Sequence, residues 1–436
     1  MTALGINAET TPLGVIGLGY IGLPLALAFF ERGFAVTGFD VDDRKTDALA
    51  RGEGYLPHLD ANRIATLKGH PRFSATTDFT RLKTCRVVVI CVPTPLTAQR
   101  EPDLSFVTAT AREVGRNLSP GGLVVLESTT YPGTTRTLLT PILEEESGLT
   151  AGRDFFVAFA PERVDPGNRD FDVADIPKVV GGICPQSSAM ARDLYACICP
   201  SVTVVSSSET AEMTKLLENV FRAVNIALVN EMKLLAHRMD LDIAEIVEAA
   251  ATKPFGFMPF QPGPGLGGHC LPIDPFYLTW KAREYGLSTR FIELAGEINT
   301  AMPDYVVSRL QQALNEEEKS LKGSSVLVMG LAYKPDVADL RQSPSLKIID
   351  RLLKAGCKVD YHDPLVERIP RTRKYDLNLA SVSYSAEMLE CYDAVVLATD
   401  HSCYRVEELV AHARLVVDPR NACRHVRGGK AKVIPA

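Results

Sequence analysis

A short apolar run, Leu13 to Gly17, passes directly into Gly17-Leu18-Gly19-Tyr20-Ile21-Gly22 and then into a continuous apolar segment. This GxGxxG spacing constrains the chain more than any other feature. The first glycine permits a tight turn, the second lets a pyrophosphate approach the backbone, and the third lets a helix lie close against a sheet. The next apolar run, Ala35 to Asp40, ends on an acidic residue near the twenty-residue offset expected of a ribose-binding carboxylate. The pattern predicts strand, turn, helix and strand, with the first-turn N–H groups of the helix facing a diphosphate. Gly17, Gly19, Tyr20, Ile21 and Gly22 are therefore candidate cofactor-binding residues. Asp40 should accept hydrogen bonds from an adenosine ribose and repel a 2′-phosphate, which favours NAD over NADP; Arg44, also a candidate cofactor-binding residue, and Lys45 lie nearby and weaken that preference. The alternative is a sheet domain whose glycines only satisfy turn geometry.

Similar runs recur at Arg86 to Cys91, Leu123 to Glu127, Phe155 to Phe159, Lys178 to Val180 and Val202 to Val205. Their near-continuous Val and Ile content suits a parallel sheet covered on both faces. Cys91-Val92-Pro93-Thr94-Pro95 and Glu127-Ser128-Thr129 both end strands on the edge where such sheets bind ligands, so Pro93, Thr94 and Thr129 are expected to line a nicotinamide. Ordinary strand-to-helix turns are the other reading. After Ser206-Ser207-Ser208 the period changes to three and four through Met213, Leu216, Leu217, Val220, Phe221 and Val224. This predicts one long helix from Glu209 to Met239 with serine caps, and a further helix after Leu241 capped by Asp240 or Asp242. A Pro- and Gly-rich loop follows from Pro254 to Pro275, then helix to about Glu318 with breaks at Gly286 and Pro303. Strands return at Ser325 to Met329, Lys358 to Tyr361, Ala394 to Ala398 and Leu415 to Asp418. The expected fold is α/β: two Rossmann-like parallel-sheet domains joined by a central helical region with a long connecting helix. Its boundaries are 1–206 for cofactor binding, 207–318 for the helices and 319–436 for the second sheet. The helix is long enough to support a homodimer or higher homo-oligomer.

A length of 436 residues fits several domains. The net charge of -6 gives no general argument for a nucleic-acid partner. No segment reaches the roughly 18 to 20 apolar residues that span a bilayer, and the first residues lack a signal-peptide pattern, so no membrane insertion and a cytoplasmic location are expected. Ten cysteines without CxxC pairing read as free thiols. No metal site is expected, since His362-Asp363 stands apart from other ligand types.

One cysteine differs from the rest. Cys270 follows Gly263-Pro264-Gly265-Leu266-Gly267-Gly268-His269, a glycine run that allows close approach of backbone to a ligand, and precedes Asp274-Pro275, which has the form of a helix cap and first helical residue. A thiolate is favoured just ahead of a helix start. His269 is a poor base for its own neighbour. The bland reading makes Asp274 a cap and Cys270 a passenger. On the long helix, Lys215 and Asn219 share one face, where an ammonium can hold a developing oxyanion and an amide can orient it. Against this, Lys215 could pair with Glu212 or Glu218 in solvent. Glu162, in Pro161-Glu162-Arg163-Val164, follows a strand end at the binding edge, or serves as a cap.

Together these segments resemble the UDP-glucose and UDP-N-acetylsugar 6-dehydrogenase family. The resemblance runs through GLGYIGLPLA from Gly17, VPTP from Val92, EST from Glu127, APERVDPG from Ala160, AEMTKLLENVFRAVNIALVNE from Ala211, PGPGLGGHCLPIDP from Pro262 and GLAYKPDVADLRQSP from Gly330. It implies NAD as cofactor, a central dimerisation region and a C-terminal domain that holds the UDP moiety. It also implies Cys270 as nucleophile, Lys215 as catalytic lysine, Asn219 and Asp274 as holders of substrate oxygen and water, and Glu162 and Thr129 as aids to hydrolysis. Lys334 and Arg341 match residues that reach the active site or the substrate phosphates, with Arg163, Gly267 and Gly268 beside them on the substrate. Ile273 and His269 depart from the UDP-glucose branch, and the stretch from Leu271 with FGFMPF upstream looks most like UDP-N-acetylglucosamine 6-dehydrogenases; the N-acetylmannosamine enzymes are close relatives. The implied reaction is a four-electron oxidation at C6 through a thiohemiacetal and a thioester on Cys270. Two other readings are a two-electron hydroxy-acid dehydrogenase and a nucleotide-sugar-binding regulator. The first leaves Cys270 and the second sheet unexplained, and the second leaves Cys270 together with Lys215 unexplained.

Overall fold

The computed structural model describes residues 5–56, 59–97, 99, 101–164, 171, 173–268, 271–372 and 374–436. The chain divides into two compact units. One holds the residues up to Glu218 with Phe276–Ser288, the other Asn219–Pro275 with Thr289–Ala436.

The first unit is built on eight strands: β1 (Leu13–Ile16), β2 (Val36–Phe39), β3 (Phe73–Thr76), β4 (Val87–Ile90), β5 (Leu123–Leu126), β6 (Phe156–Phe159), β7 (Lys178–Gly182) and β8 (Val202–Val204). Their order is β3-β2-β1-β4-β5-β6-β7-β8. Alternate residues of the central strands feed two separate cores. Leu13, Val15, Val87, Val89, Leu123 and Val125 pack on one face; Ile16, Val88, Ile90, Val124 and Leu126 pack on the other. That is why the runs read as continuously apolar. All pairs are parallel except β6 with β7, where Phe159 lies opposite Gly181. The described part of the connection between them contains only a 3₁₀ turn, Val173–Asp175, and a parallel return needs a longer crossover than such a turn supplies.

The second unit carries β9 (Ser325–Met329), β10 (Lys358–His362), β11 (Ala394–Leu397), β12 (Leu415–Asp418) and β13 (Lys432–Pro435), all parallel in the order β10-β9-β11-β12-β13. Two edge strands, β3 and β13, have no counterpart in the sequence reading, since neither is fully buried and neither shows a clean apolar run.

The long helix spans Ser208–Arg238, and Ser207 Oγ accepts the N–H of Thr210 at 3.2 Å, a serine cap of the expected kind. Asp242 caps Ile243–Ala251 by accepting from the N–H of Ala244. Gly286, at φ 68°, closes a 3₁₀ turn as expected. Pro303 does not break its helix, which runs through it from Arg290 to Glu316. Proline removes one N–H, and that loss is tolerated where other packing holds the helix together. Here Met302 and Pro303 are buried, and a Cβ at Gly265 would lie 3.3 Å from the proline ring.

Candidate active site

The glycine turn has the geometry its spacing predicts. Gly17 has φ +91°, and a side chain there would meet the Cys91 carbonyl at 2.6 Å. A Cβ on Gly22 would fall 1.9 Å from the Gly17 carbonyl oxygen, so only glycine lets the helix Gly22–Glu31 start so close to β1. A Cβ on Gly19 would meet nothing within 4 Å. Ile21, at the cap position, makes no side-chain capping hydrogen bond, and the first turn holds no acidic residue. An open backbone beside an uncapped amino end fits a pyrophosphate. Tyr20 and Ile21 are half-buried beside it.

Asp40 is buried just beyond β2. One carboxylate oxygen accepts the N–H of Leu18 at 2.9 Å and the ammonium of Lys45 at 2.8 Å; the other accepts the N–H of Asp42. The acid thus fixes the glycine turn from below. Arg44 turns away into solvent and pairs with Asp42 at 2.8 Å, so Lys45 is the cation that reaches Asp40. The hydroxyl of Ser128 donates to the Val92 carbonyl at 2.7 Å, which ties the two edge loops carrying Pro93, Thr94 and Thr129. Thr94 is buried, Thr129 half-buried and Pro93 exposed.

Glu162 is buried, with one oxygen taking the N–H groups of Arg163 and Val164 at 2.7 and 2.5 Å. The Arg163 guanidinium is committed elsewhere, to the Pro177 carbonyl and to Glu218 at 2.8 Å. Lys215 is also buried, and neither acid considered as its surface partner pairs with it. Glu212 is wholly buried and accepts from the N–H of Gly133 (2.6 Å) and from the N–H and hydroxyl of Thr135 (2.8 and 2.7 Å). Burial pushes its acid up to about 7 against those hydrogen bonds. Glu218 goes to Arg163. The solvated-pair reading of Lys215 therefore falls.

One turn further along the same helix, the Asn219 amide donates to Asp274, which is buried at the first residue of the helix Asp274–Ala282. Cys270 and His269 lie outside the described residues. Gly267 and Gly268 use their missing side chains against the protein itself. Tyr333 stands where their Cβ atoms would be, at 2.4 and 3.0 Å, and Gly268 N–H donates to the Arg341 carbonyl at 2.8 Å. The Arg341 guanidinium forks onto Asp339 at 2.6 to 3.0 Å, and the Lys334 ammonium lies 5.7 Å from the Tyr333 ring.

Two aromatic side chains here, Tyr277 and Trp280, carry no local signal in the sequence. Tyr277, fully buried, donates its hydroxyl to the Thr94 carbonyl at 2.8 Å, and Trp280 packs on Tyr131 with ring centroids 5.0 Å apart. The segment after Asp274 is thus mounted on both edge loops of the first sheet. Lys178, Glu127 and Tyr195 form a buried ionic group at the same edge.

Family models match three successive stretches: the NAD binding domain of the UDP-glucose/GDP-mannose dehydrogenase family over residues 11–199, its central domain over 209–301 and its UDP binding domain over 327–425. A UDP-N-acetyl-D-glucosamine 6-dehydrogenase of Pseudomonas aeruginosa is 36% identical, covering 90% of this chain and 91% of that one. A UDP-N-acetyl-D-mannosamine dehydrogenase of Pyrococcus horikoshii is 35% identical, covering 94% and 95%. A solved structure of a UDP-D-ManNAc dehydrogenase from Pyrococcus horikoshii superposes with a TM-score of 0.87 at 33% identity, over 97% of this chain and 99% of that one.

Proposed function

The chain belongs to the UDP-glucose/GDP-mannose dehydrogenase family and is an NAD-dependent oxidoreductase, and from that premise we propose that it oxidises C6 of a UDP-N-acetylhexosamine from alcohol to carboxylate. The observation that carries this reading is the buried Lys215 ammonium, whose neighbouring acids are both committed elsewhere, one of them to backbone. Such a cation suits a transient oxyanion. NAD, when bound, accepts the hydride in each of the two oxidations. Cys270 attacks the C6 aldehyde to form a thiohemiacetal; oxidation of that adduct leaves a thioester. Lys215 and Asn219 hold the oxyanion formed at each addition. Asp274, which fixes the Asn219 amide, and Glu162 direct water onto the thioester, and Thr129 aids the same step. Lys334 and Arg341 hold the UDP phosphates, Arg341 by exchanging Asp339 for the substrate.

For the sugar, we put N-acetylmannosamine first, because the likeness to the Pyrococcus horikoshii mannosamine enzyme extends over the whole chain in sequence and in structure. N-acetylglucosamine, the epimer that the segment from Leu271 favours, is the second reading, supported by the 36% identical Pseudomonas aeruginosa relative. NADH formation with both epimers, UDP-N-acetylgalactosamine and UDP-glucose tests it. About two NADH per sugar nucleotide is expected, with UDP-N-acetylmannosamine fastest; one per sugar means a simple alcohol dehydrogenase.

The three-part division at 206/207 and 318/319 belongs to the same proposal. So does a homodimer built on the long helix, where Met213, Leu217, Phe221, Leu228, Met232 and Leu235 are exposed at spacings of three, four and seven. An exposed apolar stripe of this size marks a protein interface. Among the described residues no helix is long and apolar enough to cross a membrane.

A further inference from the structure

We propose that Lys178, held by Glu127 and Tyr195, is a positioning residue for the Glu162 carboxylate in the hydrolytic half of the reaction, an inference that rests on the role given to Glu162 above. The reversal between β6 and β7 is what brings it there. In a wholly parallel sheet the first residue of a strand lies at the edge away from ligands. Because β7 runs antiparallel to β6, its first residue, Lys178, comes to the same edge as Glu127 after β5 and Glu162 after β6.

The group is almost entirely closed to solvent. Glu127 Oε1 accepts the Lys178 ammonium at 2.8 Å and the Tyr195 hydroxyl at 2.5 Å, and the ammonium sits 4.8 Å from the Tyr195 ring centroid. Its remaining carboxylate neighbour is Glu162 Oε2 at 3.8 Å. Glu162 is therefore fixed through one oxygen by backbone N–H groups and faced by a cation at the other. Around it stand Lys178, Glu127 and Tyr195 with the thiols of Cys91 and Cys199, while the Arg163 guanidinium is turned onto Glu218. Burial pushes Glu127 upward, and the two acids hold Lys178 charged in spite of its burial. Removing that cation would leave two buried carboxylates opposed, and a proton would settle on one of them.

The step this serves is hydrolysis of the thioester. The water oxygen bonds to the acyl carbon, the carbon–sulfur bond breaks, the sulfur leaves as the Cys270 thiolate, and a water proton passes to Glu162. Glu162 can take that proton only while its carboxylate is held in place, which is what the Lys178 contact at its second oxygen supplies.

The test compares the full-length enzyme with Glu127→Gln/Lys178→Met, which removes one charge of each sign, and with Glu127→Gln alone, using whichever UDP-N-acetylhexosamine it oxidises fastest. In the double variant the rapid NADH burst should persist while turnover falls about ten- to hundredfold. Acid quench and intact mass should then show acyl-enzyme, and the lower limb of the kcat–pH profile should move up. Glu127→Gln alone, which keeps the cation and removes an opposing charge, should move that limb down. Lys178→Arg should restore both turnover and the limb towards wild type. Equal loss of burst and turnover with an unmoved limb overturns the proposal. Glu162→Gln separates this failure from a failure of the underlying role: if it neither slows turnover nor accumulates acyl-enzyme, the assignment of Glu162 itself is wrong.

Discussion

Replacing Lys215 by methionine separates a catalytic ammonium from a structural one, because the two roles predict stability changes of different sign. The side chain is only 7% exposed. Its two acidic neighbours on the helix are held by Gly133 and Thr135, and by Arg163. Lys215→Met keeps most of the volume and leaves no carboxylate without a partner. A cation about 3 Å from an oxyanion is worth at most ~5 kcal/mol at an effective dielectric of about 20. Loss of one preorganised oxyanion donor costs about 2.7–4 kcal/mol in practice, so kcat should fall roughly 10²- to 10³-fold. The KM for NAD should barely change. Stability, read as the urea midpoint, should hold or rise, because a buried charge that pairs with no carboxylate among the described residues is removed. A structural ion pair would behave in the opposite way, since breaking one costs about 3–5 kcal/mol. A lowered midpoint with turnover within a few-fold of wild type would refute the reasoning.

Gly22→Ala places a methyl where the Gly17 carbonyl oxygen stands, 1.9 Å away, so the turn must open. Fluorescence titration should show NAD affinity lower by at least about tenfold, and the urea midpoint should fall by the equivalent of about 1–3 kcal/mol. Lys233 is buried with its amine on the Pro419 carbonyl at 3.1 Å, and burial brings its pKa down from 10.5 to about 7. The unfolded chain binds the extra proton between those values, so stability is fully present above pH 10.5 and is lost as pH falls towards about 7, by at most about 5 kcal/mol. Urea titrations from pH 7 to 10 should show the rise, and Lys233→Met should flatten it. Leu228 is 53% exposed on the long helix, so Leu228→Glu should convert the proposed dimer to monomer by light scattering while the circular dichroism of the fold is unchanged.

The strands that sequence could locate are those buried on both faces, where Val87-Val88-Val89-Ile90 or Val326-Leu327-Val328-Met329 leaves no polar position. The edge strands Phe73–Thr76 and Lys432–Pro435 are half covered, and their composition does not distinguish them from loop. Glycines were legible for the same local reason. The demand at Gly17 and Gly22 arises within a few residues of chain. The glycine run at Gly267 and Gly268 suggests room for a ligand; the space beside their Cα atoms is filled by Tyr333, a residue more than sixty positions away that no local pattern could supply. Lys215 and Asn219 were visible from helical spacing, but the fate of Glu212 depended on a turn at Gly133. The Lys178 group was hidden for a topological reason. Lysine at the start of an apolar strand looks like a solvated strand end until the reversal of β7 is known.

The two sheets repeat one device and put it to different use. In each, a glycine with positive φ ends the first strand, Gly17 at +91° and Gly330 at +81°. In each, an acid beyond the neighbouring strand accepts the next backbone N–H: Asp40 takes Leu18 at 2.9 Å, and Asp363 takes Leu331 at 2.7 Å. After Gly17 the helix begins within the motif, at Gly22, with no side chain capping it. After Gly330 it begins only at Pro344, and Ser343 already caps it by accepting from Ser345 N–H. Asp363 also holds His401 Nε2 at 3.1 Å, and the Asp336 N–H donates to the other ring nitrogen, so the imidazole proton lies towards the acid. A capped, distant helix end is a poorer seat for a diphosphate. The second sheet therefore lacks the nearby uncapped helix start that the first has beside its glycine turn. On the proposed function, side chains of its loops such as Lys334 and Arg341 do the gripping instead.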